Sequence, residues 1–208
     1  MAVVASVWSL APGPSDAVLF ELPFRSQLDG TPYALSNCGP TALGMALAYY
    51  GVDASSWELR VRAMRFQHSW IDDDGGYSDR YGVFVYNLGA VAESYGLRAR
   101  GLWRYEAGHI DRLREWQPAD LRRELGLGRP VIVQVKYRAL PRHRDSRATD
   151  DHFIVLHGFI GDDFVYSDPM GTDPSAASVM ISTQDLVWAM ERAETPRVGF
   201  ALDAGARG

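Results

Sequence analysis

Asn37-Cys38-Gly39-Pro40-Thr41-Ala42-Leu43-Gly44-Met45-Ala46-Leu47-Ala48-Tyr49-Tyr50-Gly51 holds the only cysteine of this 208-residue chain, and that cysteine stands where a helix should begin. Pro40 suits a first helical position, where its fixed φ helps and its missing N–H costs nothing. Leu43, Ala46, Leu47 and Tyr50 follow on one face at helical spacing, and Gly51 is a natural C-terminal stop. A thiol at a helix start meets unpaired backbone N–H groups and the positive end of the helix dipole, which favour the nucleophilic thiolate. The same pattern suits a cysteine buried as a small apolar residue. This stretch alone does not separate the two.

Outward from it, length and composition are those of one soluble domain with a core large enough to need no covalent staple. We place a single domain at residues 18–208, and read residues 1–17 as an extension or linker remnant: apolar, without leading positive charges, and closed by Pro12-Gly13-Pro14. A net charge of -5 argues against nucleic-acid affinity. One cysteine allows neither an internal disulfide nor a four-cysteine zinc site. No stretch reads as a membrane span.

Ala17 to Pro23 reads as a strand that leads to Gln27, eleven residues before the cysteine. A side-chain amide placed there could donate to a developing oxyanion, although a polar loop residue is the plainer reading. Residues 53–125 look mainly helical: Asp53 or Ser55 caps one helix, Val85 to Tyr95 forms a second ending at Gly96, and Pro118 opens a third closed by Gly126. The acids Asp72, Asp73 and Asp74 lack the alternating spacing of an EF-hand and read as a solvated loop rather than a calcium site.

At Pro130 the pattern becomes β. Val131 to Tyr137, His152 to Ile160, Phe164 to Asp168, Val179 to Ile181 and Val198 to Leu202 are expected strands, with a helix capped by Thr183 between the last two. The fold class is therefore α+β, a helical N-terminal half packed on a mostly antiparallel sheet.

His152 and Asp168 flank the hairpin turn at Gly161-Asp162-Asp163. Residue numbers across its strands should sum to about 324, which puts Asp168 a diagonal neighbour from His152. A carboxylate there could fix the imidazole tautomer and stabilise the imidazolium. His157 falls on the opposite face of the strand, and His68, His109 and His143 have no partner that spacing identifies. A strand-end histidine beside an Asp-Pro turn is also an ordinary structural arrangement. Cysteine, histidine and aspartate together are more specific than any one of them.

Gln27, the Asn37 to Thr41 block with Ala48-Tyr49-Tyr50-Gly51, the His152 to Gly158 block, and Ser167-Asp168-Pro169-Met170-Gly171 resemble the C39-like branch of the papain-like cysteine peptidases. The resemblance spans about residues 18 to 202, with its discriminating motifs in three short blocks. It implies a papain-like fold, Cys38 as nucleophile, His152 as general base and acid, Asp168 as orienting carboxylate, and Gln27 as oxyanion donor. It also implies a peptide or protein substrate, acyl transfer through a thioester, and no metal or organic cofactor. The best-known relatives process leader peptides within bacteriocin exporters; lacking membrane helices and a phosphate-binding loop, this chain is not expected to inherit their double-glycine specificity. An exported or cell-surface bacterial protein is the expectation from stand-alone relatives, a cytoplasmic one the alternative. An acyltransferase or transpeptidase using the same thioester, and a noncatalytic peptide-binding module, are the competing functions. Substrate-pocket walls are expected from residues 52–129, including Trp70, Tyr77, Tyr81 and Trp103. Oligomeric state is left open.

Overall fold

The computed structural model describes residues 16–65, 82–106 and 109–205, with side chains given outside 103–113. The loop at Asp72–Asp74 and the expected wall residues Trp70, Tyr77 and Tyr81 lie outside the described residues, as does the side chain of Trp103.

In chain order the elements are β1 (Ala17–Leu19), α1 (Cys38–Tyr49), α2 (Ser56–Met64), α3 (Val85–Ser94), β2 (Arg98–Arg100), β3 (Trp103–Glu106), β4 (His109–Leu113), α4 (Pro118–Gly126), β5 (Val131–Lys136), β6 (Asp151–Ile160), β7 (Asp163–Ser167), β8 (Val179–Ser182), α5 (Thr183–Glu191) and β9 (Gly199–Asp203). The main sheet runs β2-β9-β5-β6-β7-β8, all antiparallel, and β1 pairs with the end of β6 that β5 does not reach. Helices α1 to α3 cover one face over a core that includes Leu43, Leu88, Ile132, Phe153 and Val155. Helices α4 and α5 cover the other over Leu125, Val133, Ile154, Leu156 and Phe164. Alternate residues of β5 and β6 thus feed opposite cores, the pattern of a sheet buried on both faces. The α+β class stands.

Several local expectations are corrected. The described part of 53–125 holds three helices but also unexpected strands: β2 joins the main sheet, and β3 pairs with β4 as a separate ribbon. The left-handed Gly96 ends α3 and turns Arg98-Ala99-Arg100 out extended beside β9. The first strand stops at Leu19 rather than Pro23, although Phe20 still donates to His157 O at 3.1 Å. Ser182, not Thr183, caps α5, accepting from the Asp185 N–H at 3.0 Å. The left-handed residue after α4 is Gly128, two positions beyond Gly126.

The helix α1 starts earlier than Pro40 suggests. Cys38 is its first residue and Pro40 its third, still inside the first turn, where no intrahelical N–H is needed. It ends as expected at Gly51 (φ 80°), whose N–H bonds to Ala48 O while that of Val52 bonds to Leu47 O, a Schellman closure. Burial is not confined to one face; every residue from Cys38 to Leu47 is buried. Two glycines cost about 1 kcal/mol each in helix propensity. Burying Leu43, Met45 and Leu47, none of which retains exposed surface, supplies about 1.5–3 kcal/mol apiece, so packing holds this helix. Gly39 is where it comes closest to its neighbours: a Cβ there would lie 2.9 Å from Leu88 Cδ1 and 3.2 Å from Phe153 Cδ2. The absent side chain lets the first turn of α1 rest against β6.

Candidate active site

Four segments converge at the end of the sheet where β5 stops and β6 starts. Val135 of β5 pairs with His152 of β6, one residue in from the strand terminus. Asp151 beside it accepts from Lys136 Nζ at 3.0 Å and from Gln134 Nε2 at 2.7 Å, which fixes that terminus. The hairpin register is shifted once, between Leu156 and Gly158, so that Val155 pairs with Ser167. Continuing this register sets Asp168 opposite Ile154, a diagonal neighbour of His152 and closer to it than the unshifted sum of about 324 would place it.

The geometry follows. His152 Nε2 lies 2.8 Å from Asp168 Oδ1, and both side chains are buried. With Nε2 engaged by the carboxylate, Nδ1 is left to face the Cys38 sulfur, and the two groups lie close enough to shift each other's pKa. Backbone N–H groups of Phe153 and Gly39 also point to that sulfur. Burial pushes the thiol up, but His152 and these two N–H donors outweigh it and lower the Cys38 pKa. For His152 burial pulls the imidazolium down, while Asp168 and Cys38 together push its pKa up to about 9. Burial likewise disfavours the Asp168 carboxylate. Hydrogen bonds from His143, His152 and the Met170 N–H prevail and hold it far below the usual carboxylate range. These opposed shifts favour a thiolate beside an imidazolium.

Gln27 lies in a loop after β1, not in a strand, and is fully buried. Its backbone N–H donates to Pro169 O at 2.7 Å, and its Nε2 donates to Ala34 O at 2.8 Å. The residue is thereby tied both to the turn carrying Asp168 and to the 3-10 turn Ala34–Ser36 that leads into Cys38. A side-chain amide carries two N–H donors, and one remains beyond the Ala34 bond.

Sequence spacing did not reveal three further residues. Buried Arg60 of α2 directs Nη1 to Ser36 O (3.3 Å), Ser36 Oγ (3.2 Å) and Asn37 Oδ1 (3.1 Å), and its guanidinium lies 4.6 Å from the Tyr33 ring centre. His143 Nε2 approaches Asp168 Oδ2 at 2.6 Å. Tyr137 stacks on His143 at 4.1 Å and meets His152 edge-on at 5.2 Å. The only sequence signal for the last two was position: Tyr137 at the end of an expected strand, and His143 in the loop that must return to the sheet end where His152 starts. His157 stays outside the site, its Nδ1 2.8 Å from Phe20 O. Among the described residues no cluster of three or more His, Cys, Asp or Glu could hold a metal ion, and no helix is long and apolar enough to cross a membrane.

A two-sided antiparallel sheet with a cysteine at a helix start and a histidine at a strand end defines a class of protein rather than one protein. The sequence matches the Peptidase_C39 like family over residues 20–193, and the chain belongs to that family. Among solved structures it is similar to a Bacillus anthracis protein assigned to the C39-like peptidases, with 17% identity, TM-score 0.57, and 90% and 97% of the two chains covered. It is also similar to a double glycine motif protease from an AMS/PCAT transporter solved with its leader peptide, with 22% identity, TM-score 0.50, and 89% and 91% covered. At these identities the likeness is one of fold. None of the curated proteins matches the sequence significantly.

Proposed function

We propose that this protein is a cysteine peptidase in which Cys38 attacks a peptide or isopeptide carbonyl. The observation that carries the reading is the buried chain of contacts from Cys38 through His152 to Asp168, with the Nε2–Oδ1 distance at 2.8 Å. The thiolate adds to the carbonyl carbon, and the oxyanion is held by the free N–H of the Gln27 amide and by the Cys38 backbone N–H, which the helix start leaves unclaimed. His152, carrying the proton from Cys38, delivers it to the leaving amine as the C–N bond breaks and the thioester forms. Water, deprotonated by His152, then attacks the thioester; the C–S bond breaks and the thiolate returns. Asp168 keeps the ring in one tautomer and compensates the imidazolium throughout. No step calls for a metal or organic cofactor. Family membership and the peptide bound by the transporter protease support a peptide substrate class.

The test has two arms. Incubation with a peptide library should give cleaved products that vanish in Cys38→Ala and in His152→Ala. Iodoacetamide should alkylate Cys38 well below pH ~8.5, the range of a free thiol, and His152→Ala should abolish that advantage. Ordinary thiol reactivity that His152→Ala leaves unchanged would sink the reading. A conjugated product on adding amine acceptors would assign the second half-reaction to transfer instead of hydrolysis.

A further inference from the structure

Asp168 has more donors than a simple orienting carboxylate requires. Its Oδ1 accepts from His152 Nε2 at 2.8 Å and from the Met170 N–H at 2.9 Å. Its Oδ2 accepts from His143 Nε2 at 2.6 Å. His143 comes from the turn Pro141–His143 in the loop between β5 and β6, an element other than the β6–β7 hairpin that carries His152 and Asp168. The turn is anchored on its far side by Arg142, whose Nη1 and Nη2 donate to Ser175 O and Ser175 Oγ at 3.1 Å each. The ring lies flat on Tyr137, with planes 19° apart, and Tyr137 in turn stands edge-on to His152, at 75°. Two histidines and one tyrosine therefore enclose a single buried carboxylate.

The terminal torsion of an aspartate is soft and roughly two-fold, so bonds to one oxygen alone do not fix its plane. The bond at Oδ2 does. A buried Oδ2 without a donor would either swing the carboxylate round or draw in water, and either change loosens the bond that sets the His152 ring. We propose that His143, with Tyr137 behind it, is a positioning residue that clamps the Asp168 plane and so aims His152 at Cys38. This rests on the Cys38–His152 reading above. The groups that face His143 and Asp168 are Tyr137, His152 and, through charge on Asp168, Tyr166. None of these replaces the donor at Oδ2 among the described residues.

The test uses iodoacetamide alkylation of Cys38 at pH 6, which needs no knowledge of the substrate. His143→Phe keeps a ring to stack on Tyr137 but has no donor, and it should slow alkylation by about tenfold, the effect of raising the thiol pKa by about one unit. His143→Gln carries an N–H near the position of Nε2 and should recover most of the rate. His143→Asn, one methylene shorter, should not. Thermal unfolding is followed for all three, so a Phe variant that fails to fold leaves the Gln–Asn pair to decide. Equal rates for Gln and Asn, or a Phe variant as fast as the parent, overturn the clamp. If the parent itself alkylates like a free thiol and ignores His152→Ala, the peptidase reading has failed instead.

Discussion

The backbone N–H of Gln27 donates to the carbonyl of Pro169 at 2.7 Å, which fastens the loop before the cysteine to the turn that carries Asp168. The bond joins segments more than a hundred residues apart and places both at one edge of the sheet. Through Ala34, Gln27 also reaches the turn that delivers Cys38. The expected consequences can be measured one residue at a time.

Gln27→Ala should lower kcat by about 10²–10³-fold if its amide holds the oxyanion, with KM little changed. The rate of Cys38 alkylation should stay near that of the parent, because alkylation builds no oxyanion. Steady-state kinetics beside alkylation rates separate the two, and an equal loss in both would assign Gln27 a structural role.

The pH profile of peptide cleavage should show a plateau whose alkaline edge lies near 9, where His152 loses its proton. On the acid side it should fall only well below the free-thiol value of ~8.5, since the Cys38 pKa is lowered. The raised His152 pKa also stabilises the fold. That contribution is complete below the unfolded value of ~6.5 and is lost as pH rises through about 9. An alkaline edge near ~6.5 would contradict the geometry.

Asp168 also stabilises the fold, with the opposite pH dependence. Its folded pKa is depressed, so the stabilisation is complete above the unfolded value of ~3.9 and is lost as pH falls from there toward the folded value. Asp168→Asn should therefore remove about one proton from the acid-side dependence of unfolding, read from urea midpoints between pH 5 and 2. It should also slow cleavage at every pH, because a neutral amide no longer compensates the imidazolium. Parallel urea curves for parent and variant would contradict this.

Arg60→Lys should slow Cys38 more than it unfolds the protein. A lysine keeps the charge but has one ammonium where the guanidinium touches Ser36, Asn37 and the face of Tyr33. Arg60→Ala should cost about 2 kcal/mol or more in unfolding free energy, the scale of hydrogen bonds to a charged group lost from a buried site. Denaturant unfolding and alkylation rates on the two variants test the difference in rank.

Much of the architecture was legible because local chemistry and tertiary demand agreed. Gly51 and Gly96 mark helix ends since a left-handed C′ residue satisfies the last carbonyls, and both do so here. The β-branched, apolar run Val131 to Val135 reads as a strand, and it forms most of β5. The separation of His152 and Asp168 about a short turn put them near each other on adjacent strands, and a register shift in the hairpin brings them to bonding distance. Cys38 at a helix start was readable too, although Pro40 turned out to be the third helical residue.

By itself, the sequence determined the helices around Cys38, Val85 and Pro118, the strands after Pro130 and the place of the lone thiol at a helix start, all features governed by neighbours along the chain. Tertiary structure alone decided what surrounds them. It buried α1 on all sides rather than one, because helices α2 and α3 and the sheet enclose it together. It drew Arg98-Ala99-Arg100 into the sheet, where β9 offers an unpaired edge. It also turned Arg60 and His143, to which spacing assigned no partner, inward onto Asn37 and Asp168. Hydrogen bonds between residues 23 and 25 positions apart depend on how loops cross the sheet end, and no periodicity records that.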